Sequence, residues 1–163
     1  MELKKHFNSK VLFFTLYYVA FAIYIIIGLQ PAKATDYNIS GSIVIPSIDL
    51  VSDVTSLSLN NGKLDTPDTI VGSYSRNDNK TLLIGHSTTV FQALNQLNLG
   101  DEIQYNGQSY RVDEVAIVAK GDISMAKLLK GETTDTLVVM TCAGELLGNG
   151  DATHRLIVTA SAQ

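Results

Sequence analysis

The residue with the most distinctive chemistry is Cys142, the only cysteine among 163 residues. A thiolate is a strong nucleophile, and it needs a neighbouring group that favours the thiolate and later protonates a leaving amine. Histidine suits both tasks because its imidazole titrates near neutral pH. A carbonyl oxygen that becomes negative during acyl transfer also needs positive charge or N–H donors beside it. The chemistry that these residue types suggest is acyl transfer by a cysteine, assisted by a histidine and a cation.

Three histidines and one arginine are candidates for the assisting roles. His6 lies before a long uncharged stretch, so it is separated from Cys142. His86 ends an apolar run and precedes a polar Ser-Thr-Thr segment, which places it at the rim of a sheet. His154 is next to Arg155, and successive side chains of a strand point to opposite faces. If Arg155 faces the thiol, His154 therefore does not.

Each of these residues also has an interpretation without catalysis. Most free cysteines behave as small buried hydrophobic residues. His86 could be a surface histidine, and Arg155 could form a salt bridge at the rim of the fold, since a buried arginine usually needs a carboxylate partner or a function. A zinc site made of Cys142, His86 and His154 lacks any recognisable ligand spacing.

The elements that must position these residues are two strands near the C-terminus. An apolar, β-branched run at 137–140 leads to Cys142, a glycine-rich break follows at 144–150, and a second apolar run begins at Arg155. This pattern predicts strand, loop, strand, with Cys142 at the C-terminal tip of the first strand and Arg155 near the start of the second. If the strands pair, the thiol and the guanidinium share one cleft.

The preceding residues predict further short strands. Residues 41–46 form a strand stopped by Pro46, which suits an edge position. Residues 81–86 form a buried strand that ends at His86. Asn106-Gly107 is a hairpin turn signal between strands at 102–105 and 109–119. With 48–59 as irregular strand and a short strand near 72–75, the total is seven or eight.

Two short helices are predicted between the strands. Thr89 and Gln92 have the spacing of a capping box, and the apolar periodicity after them extends to about Gly100. Asp122 is suited to cap a second helix that ends at Gly131. Many short strands with few helices and no internal repeat predict a mostly β fold, specifically a closed or nearly closed and mostly antiparallel β-barrel.

The N-terminal region predicts export and membrane attachment. Residues 11–29 carry no charge over 19 positions, about the length that crosses a bilayer as a helix. Lysines precede this stretch, whereas the residues from Asp36 onward include eight basic and fifteen acidic side chains. This asymmetry predicts a cytoplasmic segment at 1–10, an anchor at 11–29, a tether at 30–40 and an external domain at 41–163. A cleaved signal peptide is the alternative, because residues 32–34 read A-x-A.

Composition also limits the partners and cofactors. The acidic balance of the chain argues against a nucleic-acid partner. An exported domain with one cysteine cannot form an internal disulfide, so the thiol is either free or bridged to another chain. We expect no cofactor. The scattered acidic residues do not define a calcium site, so calcium activation is left open.

Five segments together resemble the sortase family. They are TLVVMTC at 136–142, RLIV at 155–158, LIGH at 83–86, FQALNQLNLGD at 91–101 and IVIP at 43–46. Their order and spacing match the family over about residues 41–162, although valine and methionine interrupt the usual signature before Thr141.

The resemblance implies a fold and a set of roles. Sortases are membrane-anchored cysteine transpeptidases, mainly of Gram-positive bacteria, with an eight-stranded barrel. By resemblance, Cys142 is the nucleophile, His86 the general acid and base, Arg155 the cation that orients the substrate or its oxyanion, and Thr141 a substrate-binding residue. The implied partners are sorting-signal peptides of exported proteins, and an amine of a cell-wall precursor or a pilin as acceptor.

A few positions bear on the finer class and on the rival functions. The 61–67 segment and the run after Cys142 are more similar to class E or F sortases than to class A. An L,D-transpeptidase would have an arginine two residues after the cysteine, where this chain has Gly144. The remaining alternative is a membrane-anchored β-domain without catalysis, used for surface assembly or adhesion, in which Cys142 would be inert.

Overall fold

The computed structural model describes residues 18–19, 36–77, 79–130, 133–148 and 151–163. The chain forms two compact units, Met1–Asp36 and Tyr37–Gln163. Within the described residues, no helix has the length and apolar character needed to span a bilayer. Of the anchor predicted at 11–29, only residues 18 and 19 are described, and these are helical. The anchor therefore lies almost entirely outside the described residues and stays a prediction. The tether predicted at 30–40 is described only from residue 36 onward, and its residues 39 and 40 belong to the first strand, Ile39–Ile45.

Eight strands form the second unit and close into a barrel. The strands are β1 (Ile39–Ile45), β2 (Leu50–Ser56), β3 (Val71–Asn77), β4 (Lys80–Ile84), β5 (Glu102–Tyr105), β6 (Gln108–Ala119), β7 (Thr136–Leu146) and β8 (Ala152–Ala162). In space they follow the order β1-β2-β3-β4-β7-β8-β6-β5. The β2–β3 and β4–β7 pairs are parallel, and the other six pairs are antiparallel. The predicted closed, mostly antiparallel barrel is confirmed.

Helical structure among the described residues of the second unit is limited to short pieces. A one-turn α-helix spans Met125–Leu128, and the side chain of Ser124 accepts a hydrogen bond from the backbone N–H of Lys127 at its start. The 3₁₀ turns are Pro46–Ile48, Leu94–Gln96 and Lys120–Asp122.

Strand β7 is apolar on both faces because an apolar cluster lies on each side of it. Leu137 and Val139 belong to the inner core, which draws on all eight strands and fills the barrel. Val138 is buried in a second cluster with residues of β4 and with Leu129, and Met140 packs against that cluster. This second cluster covers the outer face of β4, β7 and β8, which explains why the run at 137–140 does not alternate.

The hairpin between β5 and β6 matches the prediction from its Asn-Gly pair. Asn106 and Gly107 have φ values of 51° and 81°, the left-handed conformation that a two-residue hairpin turn requires. The side-chain oxygen of Asn106 also accepts a hydrogen bond from the backbone N–H of Ser42 at 3.0 Å. The turn therefore ties β1 to the β5–β6 hairpin as well as reversing the chain.

Two strand predictions are wrong in detail. Strand β1 is not at an edge, because it pairs with β2 on one side and with β5 on the other. Pro46 is tolerated because it follows the last residue of the strand and begins a 3₁₀ turn. Cys142 is not at the tip of its strand, because β7 continues to Leu146 through a register shift after Ala143.

The two predicted helices are also corrected. The capping-box segment forms successive turns rather than an α-helix, and the hydroxyl of Thr89 donates to the carbonyl of Asp68 at 2.8 Å instead of capping a helix. Phe91, Leu94 and Leu97 are buried in the barrel core, so packing determines the local conformation. The second helix exists, but its cap is Ser124 and not the predicted Asp122.

Candidate active site

Cys142 lies on the outer face of β7, beside the end of β4 and directly opposite a residue of β8. The outer-facing residues of β7 are Val138 and Met140, and alternation gives Cys142 the same direction. It is half-buried and its thiol is free. Its partner across the β7–β8 ladder is Arg155. Directly opposed residues of an antiparallel pair have side chains on the same face, so the thiol and the guanidinium are neighbours.

His86 approaches Cys142 from the other side because β4 runs parallel to β7. Ile84, the last residue of β4, pairs with Met140, and the backbone N–H of Gly85 still donates to the carbonyl of Met140 at 3.4 Å. His86 and Cys142 each follow this last pair by two residues, and both line the same cleft. The nucleophile therefore lies between the strand that delivers the histidine and the strand that delivers the arginine.

Gly85, the residue just before His86, lies too close to the following segment to carry a side chain. A Cβ atom at this position would lie 2.5 Å from Cγ1 of Val90 and 2.8 Å from Cδ2 of Phe91. Phe91 is almost completely buried, so it has no room to move aside. The close contact between Gly85 and the 90–91 segment fixes the backbone on which His86 is carried.

Thr141 helps to hold the same backbone. Its side chain is 4% exposed, and its hydroxyl donates to the carbonyl of Gly85 at 2.7 Å. Thr141 faces the barrel interior with Leu137 and Val139, on the opposite side of β7 from Cys142. The bond connects the residue before the nucleophile to the residue before the histidine. The substrate-binding role expected for Thr141 stays a prediction, and the structure adds this contact to it.

Arg155 is held by a dense set of acceptors. Its side chain is 15% exposed. One terminal nitrogen, Nη1, donates to the carbonyls of Ala152 at 3.0 Å and of His154 at 2.8 Å. The other, Nη2, donates to Oδ1 of Asp151 at 2.6 Å. Three of the five guanidinium N–H groups are thus engaged by this chain, which fixes the plane of the group.

Asp151 links Arg155 to a second cation. Its Oδ1 also accepts from the backbone N–H of Ala152 at 2.8 Å, and its Oδ2 accepts from Nζ of Lys120. The hydrogen bond from Lys120, followed by that from Arg155, holds the pKa of the Asp151 carboxyl well below its usual range. The carboxylate is therefore charged across the whole physiological range.

These residues line one cleft of about 570 Å³. Its floor is the ends of β4, β7 and β8. One wall is the β2–β3 loop (residues 62–66), and the other is the β6–β7 segment (residues 120–130), which contributes Lys120, Ile123 and Met125. The structure thus brings His86, Cys142, Arg155 and Thr141 to one site.

His154 is placed on the other face of β8, as alternation predicts. It does not line the cleft. It pairs with Ala143 across the ladder, and its Nδ1 shares a 2.8 Å hydrogen bond with the hydroxyl of Thr153. Gly144 leaves space for these two side chains, because a Cβ there would lie 2.5 Å from Thr153 Oγ1 and 2.7 Å from His154 Nδ1. Among the described residues, no group of three His, Cys, Asp or Glu side chains could hold a metal ion.

Two parts of the site were not found from the sequence. Asp151 was missed, although the need of a half-buried arginine for a carboxylate partner was a signal for it. Asp151 precedes Arg155 by four residues, a spacing that is adjacent on a helix but not along an extended strand. The β2–β3 loop was also missed as a wall, since its Asn-Asn-Gly turn gives no chemical sign of a cleft.

Comparison with known proteins now identifies the family. A family model described as the sortase domain matches residues 43–163, about three quarters of the chain. The chain belongs to the sortase family. Sortases are cysteine transpeptidases, so the predicted class of enzyme is confirmed. No curated protein matches the chain in sequence.

Solved sortase structures share this barrel at low sequence identity. Sortase A of Listeria monocytogenes is 16% identical with a TM-score of 0.60, over 77% of this chain and 87% of that one. A lid mutant of sortase A from Corynebacterium diphtheriae is 22% identical with a TM-score of 0.58, over 80% and 73%. A Pilus Island 1 sortase C2 of group B Streptococcus is 18% identical with a TM-score of 0.59, over 79% and 76%. At such identities the likeness concerns the fold alone, and the resemblance to class E or F stays a prediction.

Proposed function

We propose that this sortase cleaves a C-terminal sorting signal on exported proteins and transfers them to an amine. The observation that carries the proposal is that His86, Cys142 and Arg155 line one cleft, with the strand of Cys142 between β4, which leads to His86, and β8, which carries Arg155. The apolar residues Leu64, Ile84, Ile123 and Met140 of the cleft suit the aliphatic side chains of a peptide.

In the first step the thiolate of Cys142 attacks the carbonyl carbon before the scissile bond. The carbonyl oxygen becomes negative, and Arg155 stabilises it with the N–H groups that its own acceptors leave for a ligand. The tetrahedral intermediate collapses as the C–N bond breaks. The imidazolium of His86 gives its proton to the leaving amine, and a thioester between Cys142 and the donor protein remains.

In the second step an incoming amine resolves the thioester. The amine nitrogen attacks the thioester carbonyl, neutral His86 removes a proton from it, and the Cys142 thiolate leaves. The product is a new amide bond, and the enzyme returns to its starting state. Water in place of the amine gives slow hydrolysis. We propose an amine of a cell-wall precursor or a pilin lysine as the acceptor.

The proposed location follows from the N-terminal charges rather than from the barrel. The uncharged residues 11–29, preceded by lysines and followed by an acidic domain, support a single-pass anchor with the catalytic domain outside the cell. There the domain would meet exported proteins with exposed C-terminal signals.

Mass spectrometry of the full-length chain tests this function. The chain is incubated with a panel of candidate sorting peptides and no amine, and its intact mass is measured. We expect one peptide to add its acyl portion to Cys142, and an added amine to release the transfer product. The Cys142→Ala variant is the control. Failure of every peptide, together with a Cys142 that iodoacetamide does not alkylate in the folded protein, would support the non-catalytic surface domain instead.

A further inference from the structure

Asp151 stands out among the residues of the cleft because its single carboxylate contacts both the floor of the cleft and one of its walls. Oδ1 binds Nη2 of Arg155 and the backbone N–H of Ala152. Oδ2 binds Nζ of Lys120, at the start of the β6–β7 segment. Neither Lys120 nor Arg155 would be adjacent to Asp151 along an extended strand. The carboxylate joins the floor of the cleft to one of its walls.

The backbone around this contact is well fixed. Strand β6 pairs with β8 as far as Ala119 opposite His154, so Lys120 leaves its strand where the β8 strand begins. Beyond Lys120, the β6–β7 segment is secured mainly by Leu129, which is buried in the outer cluster, with Met125 and Leu128 packed against it. The stretch between Lys120 and Met125 includes Ile123, which lines the cleft. Within the described part of this segment, the ion pair with Asp151 is the side-chain polar contact that joins its Lys120 end to the floor of the cleft.

The same carboxylate restricts the guanidinium. Carbonyls of Ala152 and His154 engage Nη1, and Asp151 engages Nη2, so the fork is held from two directions. Without Asp151, only the Nη1 contacts would remain, and the group could rotate about its side-chain bonds. A donor aimed at a developing oxyanion loses much of its effect when it is free to move.

We infer that Asp151 is a positioning residue, whose one oxygen fixes the guanidinium of Arg155 and whose other oxygen fixes the Lys120 end of the groove wall. The inference rests on the proposed function, in which Arg155 meets the substrate carbonyl and the β6–β7 segment borders the peptide. The opposite role would be inhibitory, in which the carboxylate binds the guanidinium of Arg155 and keeps it from the substrate. The two roles give opposite effects on turnover when the carboxylate is removed.

Substitutions can separate the two halves of the contact. Asp151→Asn keeps an oxygen that can accept from Arg155 and Ala152, but loses the charge that attracts Lys120. Lys120→Met removes only the wall contact. We expect both variants to raise KM, by up to about fivefold, the worth of a part-exposed ion pair, with kcat near the wild-type value. Their effects should not add in the double variant, because both remove the same interaction.

Asp151→Ala removes both halves at once. We expect the same rise in KM and, in addition, a fall in kcat on the order of tenfold, less than the 10²–10³ lost when an oxyanion donor is deleted. Lys127→Met and Asp122→Asn are matched controls, since each removes one charge from the same segment without touching Asp151. Kinetics are measured with the peptide that forms the Cys142 adduct in the wild-type chain.

Amide hydrogen exchange of the full-length protein without peptide gives a readout independent of activity. Residues 120–130 should exchange faster in Asp151→Asn and Lys120→Met than in the wild type or the controls. Three results would overturn the inference: unchanged amide exchange, additive effects on KM in the double variant, or a kcat of Asp151→Ala at or above the wild-type value. The last of these would favour the inhibitory role. If the wild type forms no adduct with any peptide, the proposed function fails, and the exchange result still decides whether Asp151 holds the wall.

Discussion

At the scale of single residues, the reactivity of Cys142 depends on its neighbours in the sheet. Its strand lies between β4, which leads to His86, and β8, which carries Arg155, and all three residues line one cleft. A thiol alone would be one more small apolar side chain, whereas a thiol between an imidazole and a guanidinium can act as a nucleophile. Two predictions test whether these neighbours have the roles assigned to them.

Replacement of the nucleophile should abolish chemistry and preserve the fold. We expect Cys142→Ala to lose both peptide cleavage and transfer, while its circular dichroism and urea midpoint stay close to the wild type, because one half-buried sulfur is a small packing loss. Peptide cleavage is followed by chromatography. Cleavage retained by a folded Cys142→Ala protein would end the enzyme mechanism given above.

The two histidines near the site should differ sharply in importance. His86→Ala should be inactive, whereas His154→Ala, a matched control on the other face of β8, should keep most activity because its contact is with Thr153. Transpeptidation assays with folded variants decide this, and an inactive His154→Ala with an active His86→Ala would reverse the assignment of the histidines.

Replacement of the arginine should also impair transpeptidation in the same assay. Arg155→Lys should lose on the order of 10²–10³ in rate, since an ammonium cannot reproduce a planar fork held by three acceptors.

At the scale of elements, the site depends on how the end of β4 is fastened to β7. β4 stops at Ile84, so His86 lies beyond the ladder that joins the two strands. The fastening consists of the Thr141 hydroxyl on the carbonyl of Gly85 and the close packing of Gly85 against Phe91. Thr141, on the interior side of β7, thus helps to position His86, which lines the cleft on the exterior side.

Removal of the Thr141 hydroxyl should loosen this fastening. We expect Thr141→Val, which keeps the shape, to lower the free energy of unfolding by about 1–3 kcal/mol, because the buried carbonyl of Gly85 loses its donor. It should also reduce activity through displacement of His86. Urea unfolding and transpeptidation are measured on the same preparations. Thr141→Ser keeps the hydroxyl and should restore both, so equal impairment of the two variants would contradict this role.

A second contact between elements should affect the stability of the folded protein in alkaline solution. Tyr110 of β6 donates to Asp135, just before β7, at 2.9 Å. Burial, and then this hydrogen bond, raises the pKa of the Tyr110 phenol above its usual range. The folded state therefore favours the neutral phenol, so its stabilising contribution is complete below about pH 10 and is lost as the pH rises further and the unfolded chain ionises.

Comparison with Tyr110→Phe isolates this group from the other tyrosines and lysines. At pH 8 the wild type should be more stable by about 1 kcal/mol, the usual worth of a hydrogen bond. Above pH 10 the difference should shrink and then reverse, because the phenylalanine variant has no phenol to ionise at position 110. Thermal unfolding across pH 8–11 measures this difference in stability. A difference independent of pH would show that Tyr110 ionises as readily in the folded protein as in the unfolded chain.

At the scale of the whole molecule, two units with different charge and hydropathy are joined near residue 36. The N-terminal unit contains the uncharged residues 11–29 after three lysines. The barrel unit is acidic, and its sheet closes on itself, so each of its eight strands is paired on both sides rather than offered to other chains. This division suits a domain that works on the outer side of a membrane.

The topology can be tested on cells that express the full-length chain. We expect protease added to intact spheroplasts to remove residues from about 36 onward and leave a short membrane-bound fragment, because positive charge before a span favours its retention in the cytoplasm. A fusion tag at the N-terminus should survive until the cells are lysed. Complete protection of the barrel domain in intact spheroplasts would refute this orientation.

The sequence by itself determined the class of fold and the candidate residues. Short β-branched runs, the Asn106-Gly107 turn and the spacing of apolar segments are local properties, and they predict a closed barrel of short strands that the structure contains. Alternation along one strand was also enough to separate Arg155 from His154. Such features are decided by neighbouring residues and by which side chains avoid water.

Only the tertiary structure decided which residues meet across the sheet and what holds them. The parallel β4–β7 pairing, which brings His86 to Cys142, joins segments more than fifty residues apart. The burial of Phe91 and Leu94 in the core replaced a predicted helix with turns, because packing outweighs local propensity of a few tenths of a kcal/mol per residue. Asp151 shows the same limit. Its hydrogen bonds to Arg155 and Lys120 form because the tertiary structure brings these three residues together. No local sequence pattern predicts that contact.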